Sequence, residues 1–157
     1  MIPHNRPTLG KEEEDASIRV LRGGWLAQGE EVENFENEFC DYLGLPHGHA
    51  VALSSGTSSL FLALHVLNGE NKKILFPSYV CSALRHAIAM VNGKEKLIDI
   101  SPNSPNISMS GINDNSHDLS IIPHMYGIPI NFENESTPVI EDCCQALGAK
   151  VNNQFVG

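Results

Sequence analysis

Two short stretches carry residue types whose spacing could do chemistry. In VIEDCCQALGA (139–149) the acids Glu141 and Asp142 close an apolar run, and Gln145 follows three residues after the second acid. In VALSSGTSSLFLAL (51–64) a Ser-Ser-Gly-Thr-Ser-Ser segment separates an apolar run from a helical pattern. Small residues there let the amide N–H groups of a first helical turn converge on one spot, where the helix dipole favours an anion. The hydroxyls of Ser55, Thr57 and Ser58 add donors; they suit plain helix capping as well. Asp142 falls just beyond the carboxyl end of a strand, the rim on which open α/β sheets bind ligands, and it too suits a capping role in the turn that follows.

The elements that must position these residues are legible from periodicity. KEEEDASIRVLR (11–22) has acids in its first turn, arginines near its end and Gly23-Gly24 after it, which predicts a helix. Val32, Phe35, Phe39, Tyr42 and Leu43 recur at three- and four-residue steps until Gly44, predicting a second helix that packs one apolar face. From there AVAL (50–53), KILF (73–76), KLIDI (96–100), LSIIPHM (119–125) and PVIE (138–141) read as buried strands. Helical segments separate the first three, with Val80, Leu84, Ala87, Ile88 and Val91 as one stripe. This order predicts an α/β fold, a mostly parallel sheet with flanking helices. Residues 101–117 and 127–137 are rich in Pro, Asn, Ser and Gly and do not read as crossover helices, so one strand pair is open to being antiparallel. The expected organisation is one compact domain, with N-terminal helices over 1–44 and the sheet region over 45–157.

Composition narrows the partners. Nineteen acidic against ten basic side chains give a formal charge of −9, with the basic residues scattered, which argues against nucleic acid. The four cysteines form no CxxC pair and the N-terminus has no apolar leader, so a reduced, cytoplasmic setting is expected. The longest apolar run, LFLALHVL, carries His65 and is far shorter than the roughly 18 residues of a membrane span. His47 and His49 have no third ligand at metal-like spacing, so no metal site is expected and a turn is the simpler reading. Adjacent Cys143 and Cys144 rarely suit disulfide geometry and are expected as small buried residues.

An anion-binding turn and an acid at neighbouring strand ends together describe a cofactor with a phosphate at one end and a basic ring nitrogen at the other. Pyridoxal phosphate has that shape and needs an acid against its pyridinium. The ordered set RPTLGKEE, GGWLAQGEEVENFENEFCDYLG, SSGTSSLFLAL, FPSYVCSALRHAI, IDI, IPHMYGIP and VIEDCCQALGA resembles the N-terminal part of the DegT-type sugar aminotransferases. These are pyridoxal-phosphate enzymes of the aspartate-aminotransferase, or type I, fold. The resemblance covers nearly the whole chain and implies part of the large domain of that fold.

By that resemblance Gly56, Thr57 and Ser58 hold the cofactor phosphate, Asp142 pairs with the pyridine nitrogen and Gln145 reaches the phenolic oxygen. Trp25 and Gln28 match a segment near the substrate, and His124 matches a histidine with a packing or supporting role. Where the family often places an aromatic residue against the ring this chain has Cys81, leaving Tyr79 as the substitute. The resemblance further implies transfer of an amino group from an amino acid to a nucleotide-linked keto-sugar, with the site completed in a homodimer. The lysine that attaches the cofactor as a Schiff base is expected downstream of Gly157. None of Lys11, Lys72, Lys73, Lys94, Lys96 and Lys150 stands in its sequence context, and Lys150 reads as a surface charge. No catalytic residue is therefore assigned within the chain. Three alternatives stay open: half of a split enzyme completed by a second chain, a non-catalytic binding domain for pyridoxal phosphate or a sugar phosphate, and a structural remnant.

Overall fold

The computed structural model describes residues 5–113, 116–131 and 137–157. The chain divides into two compact units, one ending at Ala52 and one running from Leu53 to Gly157. In the first unit, α1 (Lys11–Gly23) and α2 (Glu30–Leu43) form where the acid-rich first turns lie. Gly24 and Gly44, each at φ 72°, end them in the left-handed conformation that costs a residue without Cβ nothing. Of the apolar stripe of α2, Phe35 and Tyr42 stay exposed, and Cys40 is the buried residue.

The strand expected at 50–53 does not form. A strand needs a neighbour for its backbone donors and acceptors, and here Ala52 turns to side chains instead. Its N–H donates to Glu36 Oε1 at 2.7 Å, and its carbonyl accepts from Gln28 Nε2 at 3.3 Å. Val51 is left 70% exposed. These ties, to Glu36 of the second helix and to Gln28 just before it, hold Ala52 within the first unit.

The second unit carries the sheet. Its strands are β1 (Lys73–Pro77), β2 (Lys94–Ile98), β3 (Leu119–Pro123) and β4 (Val139–Asp142), in the order β2-β1-β3-β4. All three pairings are parallel, so the open question of an antiparallel pair resolves to none. Helices α3 (Gly56–Val66) and α4 (Ala83–Met90) lie on one face, where Leu60, Leu64, Leu84, Ala87 and Ile88 pack with Ile74, Phe76, Leu119 and Ile121. The opposite face buries Leu75 and Ile122 against Ile107 and Ile112. Because side chains alternate along a strand, β1 and β3 serve both faces, and a near-continuous apolar sequence is what two buried faces require.

Ile112 belongs to a short helix, α5 (Met109–Asn113), inside the connection read as irregular. Residues 114–115 and 132–136 of the two polar connections lie outside the described residues. A hairpin not read from the sequence closes the chain: β5 (Lys150–Val151) and β6 (Gln154–Phe155) meet across Asn152 and Asn153. Their φ values of 50° and 65° fit the primed turns that Asn tolerates. No helix of the described residues is long and apolar enough to cross a membrane.

Ser120 interrupts the apolar run of β3; it is fully buried and its Oγ has no hydrogen-bond partner among the described residues. A buried hydroxyl without a partner keeps its full desolvation cost. Ser120→Ala should therefore raise stability by about 1 kcal/mol, whereas its neighbour Ile121→Ala should lower it by about 2–5 kcal/mol. Urea unfolding followed by circular dichroism measures both, and a Ser120→Ala chain that unfolds at lower urea than the parent would refute the unpaired hydroxyl.

Candidate functional site

A cleft of about 280 Å³ opens at the carboxyl ends of the parallel strands, between the start of α3 and the turn after β4. Gly56, Thr57, Asp142 and Gln145 all line it, with Val80 and Met125 among its apolar walls. The register of β3 with β4 sets this rim: Pro123 pairs with Asp142, and the His124 N–H donates to the Asp142 carbonyl at 3.1 Å. Consecutive strand residues face opposite ways. Asp142 thus faces the cleft while Glu141 turns to the other side of the sheet.

At the first wall, Ser55 is the N-cap of α3. Its Oγ accepts from the Ser58 N–H at 3.2 Å, and the Ser58 hydroxyl lies 3.0 Å from it. Ser58 is thereby spent on the cap and does not line the cleft. The Gly56 and Thr57 amides have no partner among the described residues, and they stand at the positive end of the helix dipole. Gly56 lies next to the turn after β4, where a Cβ would make an ordinary contact with Cys144 Sγ at 3.6 Å. The capping reading of the Ser-Gly-Thr turn is thus realised at Ser55 and Ser58, and the Gly56 and Thr57 amides stay outside it.

At the opposite wall Asp142 Oδ1 accepts from the Cys144 N–H at 3.1 Å, which caps the turn. The hydrogen bond with Asp142, followed by burial, pushes the Cys144 thiol up to about 11. Burial, then the charges of Glu141 and Asp142, raise Cys143 to about 11 as well. Neither cysteine is the fully buried residue expected; Cys143 is half-buried and Cys144 is exposed on the cleft, because the turn after β4 runs along the rim. Gln145 Oε1 accepts from the Tyr126 N–H at 2.8 Å, and its Nε2 donors have no partner among the described residues.

His124 is 1% exposed and is the packing residue read from the sequence. The Ile130 N–H donates to its Nδ1 at 3.0 Å, so Nε2 carries the ring hydrogen and donates to Glu141 Oε2, also at 3.0 Å. That hydrogen bond, helped by the Gly157 N–H at 2.8 Å, holds the Glu141 carboxyl below its usual range against the opposing effect of burial.

Tyr79 does not line the cleft; its hydroxyl lies 2.9 Å from that of Tyr126, and Val80 and Cys81 stand at the wall instead. Trp25 and Gln28 belong to the first unit, where Trp25 Nε1 donates to the Gln28 carbonyl at 2.8 Å. A Cβ on Gly29 would run into the indole, so that glycine makes room for it. His47 Nε2 lies 3.0 Å from Asp41 Oδ1, and Lys150 Nζ stands 4.2 Å from the centre of the Phe155 ring. The sequence reading missed the roles of Val80, Met125 and Tyr126. Only the glycine after Tyr126 hinted at a special turn.

The profile of the DegT/DnrJ/EryC1/StrS aminotransferases matches residues 7–157. The chain belongs to this family. Among solved structures it is similar to the aminotransferase TlmJ from Streptoalloteichus hindustanus, with 26% identity and a TM-score of 0.90, over 100% of this chain and 46% of that one. S. venezuelae DesV is 27% identical with a TM-score of 0.84, over 94% and 42% of the two chains. The E. coli GDP-4-keto-6-deoxy-D-mannose-3-dehydratase, solved with hydrated pyridoxal phosphate, shares the fold at 24% identity and a TM-score of 0.90, over 99% and 44%. The chain spans less than half the length of each, and the match to this family bears out the α/β fold with its parallel sheet and flanking helices.

Two outcomes follow from the side chains around β4. The depressed carboxyl of Glu141 contributes stability that is fully present above its unfolded pKa and is lost as the pH falls through its folded value. Glu141→Gln, which keeps an acceptor for His124, should therefore flatten the fall in stability below about pH 4.5, read by urea unfolding at stepped pH; an unchanged slope would contradict the assignment. At pH 8, Cys143 and Cys144 should carry on the order of 100-fold fewer thiolates than an ordinary cysteine. Timed alkylation with peptide mapping should show both reacting slowly, and fast labelling of Cys144 would break the link to Asp142.

Proposed function

We propose that this chain is the pyridoxal-phosphate-binding part of an enzyme that transfers an amino group from an amino-acid donor to a nucleotide-linked keto-sugar. The observation that supports it most is the convergence of the unpaired Gly56 and Thr57 amides, the Asp142 carboxylate and the Gln145 amide on one cleft. Its size lies near the lower end of small-molecule sites, about 300 Å³ upward. The donor set fits the cofactor. The Gly56 and Thr57 amides and the Thr57 hydroxyl would hold the phosphate at the helix N-terminus, with Ser58, spent on the cap, supporting that turn. Asp142 would keep the ring nitrogen protonated, and Gln145 Nε2 would donate to the phenolic oxygen. When bound, pyridoxal phosphate supplies an electron sink for the carbon that carries the amino group.

The chain's own part is to bind and orient. The Cys144 N–H fixes the Asp142 carboxylate, and the Tyr126 N–H fixes the Gln145 amide. Trp25 and Gln28 would serve the substrate side. The proton-shuttling lysine and the second half of the substrate pocket would come from polypeptide beyond these residues, whether in the same chain, a complementing chain or a second copy. The setting we infer is cytoplasmic.

Titration of the purified chain with pyridoxal phosphate, followed by ring absorbance, tests the reading. Saturable binding should weaken at least about tenfold in both Thr57→Ala and Asp142→Ala, the loss of one charge-assisted contact each. Binding that survives both substitutions would overturn the assignment. Borohydride reduction followed by intact-mass analysis should add no cofactor mass at Lys150.

A further inference from the structure

We propose that Asn106 is a positioning residue for Gln145, acting through the turn from Met125 to Ile128. The inference rests on the reading of Gln145 as a donor to the cofactor. Asn106 lies in the connection between β2 and β3, outside every motif read from the sequence, yet it is only 3% exposed. Its Oδ1 accepts from the Met125 N–H at 2.9 Å and its Nδ2 donates to the Ile128 carbonyl at 2.8 Å. One buried amide therefore clamps both ends of the turn. Asn106 is itself held by its own backbone: its N–H donates to Ser104 Oγ at 3.1 Å, and its carbonyl accepts from the Ser101 N–H at 2.8 Å.

What the clamp holds is unusual. Tyr126 has φ 56° and ψ 27°, a left-handed conformation that a side chain disfavours and that persists only where the surroundings impose it. Gly127 follows at φ 75°, and a Cβ there would stand 3.4 Å from the Gln145 carbonyl, so the turn sits directly against Gln145. In this conformation the Tyr126 N–H points at Gln145 Oε1.

The consequence is chemical. The terminal torsion of a glutamine is broad and nearly two-fold, so a free side chain presents its oxygen about as readily as its nitrogen. Fixing Oε1 on the Tyr126 N–H leaves the Nε2 donors as the end that can meet a ligand oxygen. Asn106 thereby decides whether Gln145 offers donors or an acceptor.

A double-mutant cycle on binding of pyridoxal phosphate to the 157-residue chain tests this, with Asn106→Ala, Gln145→Ala and the double variant. Each single change should weaken binding about tenfold, and the double should bind no worse than Gln145→Ala alone. Multiplying losses, about 100-fold in the double, would overturn the proposal, since Asn106 would then act on the fold at large. Loss in Gln145→Ala with none in Asn106→Ala would overturn it too, while leaving the role of Gln145 intact. Full binding in Gln145→Ala would refute that role and this inference with it. Without ligand, the Gln145 side-chain amide resonances, assigned by their loss in Gln145→Ala, should shift in Asn106→Ala; unshifted resonances count against the proposal. If a thermal melt shows Asn106→Ala to be unfolded, Tyr126→Val takes its place in the cycle with the same expected outcomes. Tyr126 is 62% exposed, and a β-branched residue resists the left-handed backbone.

Discussion

The parallel register of β3 against β4 is the constraint on which the cleft depends. Pairing Pro123 with Asp142 sets two strand ends level, and the His124 N–H locks that level by donating to the Asp142 carbonyl. One residue of slip would exchange the faces of Glu141 and Asp142. The carboxylate now in the cleft would then face Ile107 and Ile112, and the partner of His124 would be lost. Two independent hydrogen bonds on Glu141, from His124 and from Gly157, oppose that slip.

From that register the polar groups of the rim follow in sequence, and several serve two purposes. Asp142 caps the turn after β4 and faces the cleft; Ser55 caps α3 and, by taking the Ser58 N–H, leaves the Gly56 and Thr57 amides to the cleft. Capping and ligand binding are often weighed as rival explanations of such residues. Under the proposed function they would be complementary, because a carboxylate or amide already held on one side is oriented before a ligand arrives.

The apolar framework explains why the rim can be this polar. Above and below the sheet, Ile74, Phe76 and Ile121 on one face and Leu75 and Ile122 on the other are fully buried, so the strands are anchored along their length. Their ends can then carry groups chosen for chemistry. The exception inside the framework is Ser120, whose hydroxyl finds no partner among the described residues; no physical reason for a serine there is visible.

The sequence alone determined the local elements and the kind of chemistry. Acid-rich first turns and glycine stops marked α1 and α2, three-to-four spacing marked α4, and branched apolar runs marked β1 to β4, since these signals depend on residues within a few positions of one another. The order of the motifs identified the family, and the types of Thr57, Asp142 and Gln145 suggested the ligand. Tertiary structure decided what depends on distant partners. It left 50–53 without a ladder, put Cys144 rather than Tyr79 on the cleft, spent the Ser58 amide on a cap, and joined Asn106 to Gln145 through a left-handed turn. Each outcome turns on which donor or apolar face lies opposite in space, and local periodicity holds no record of that choice.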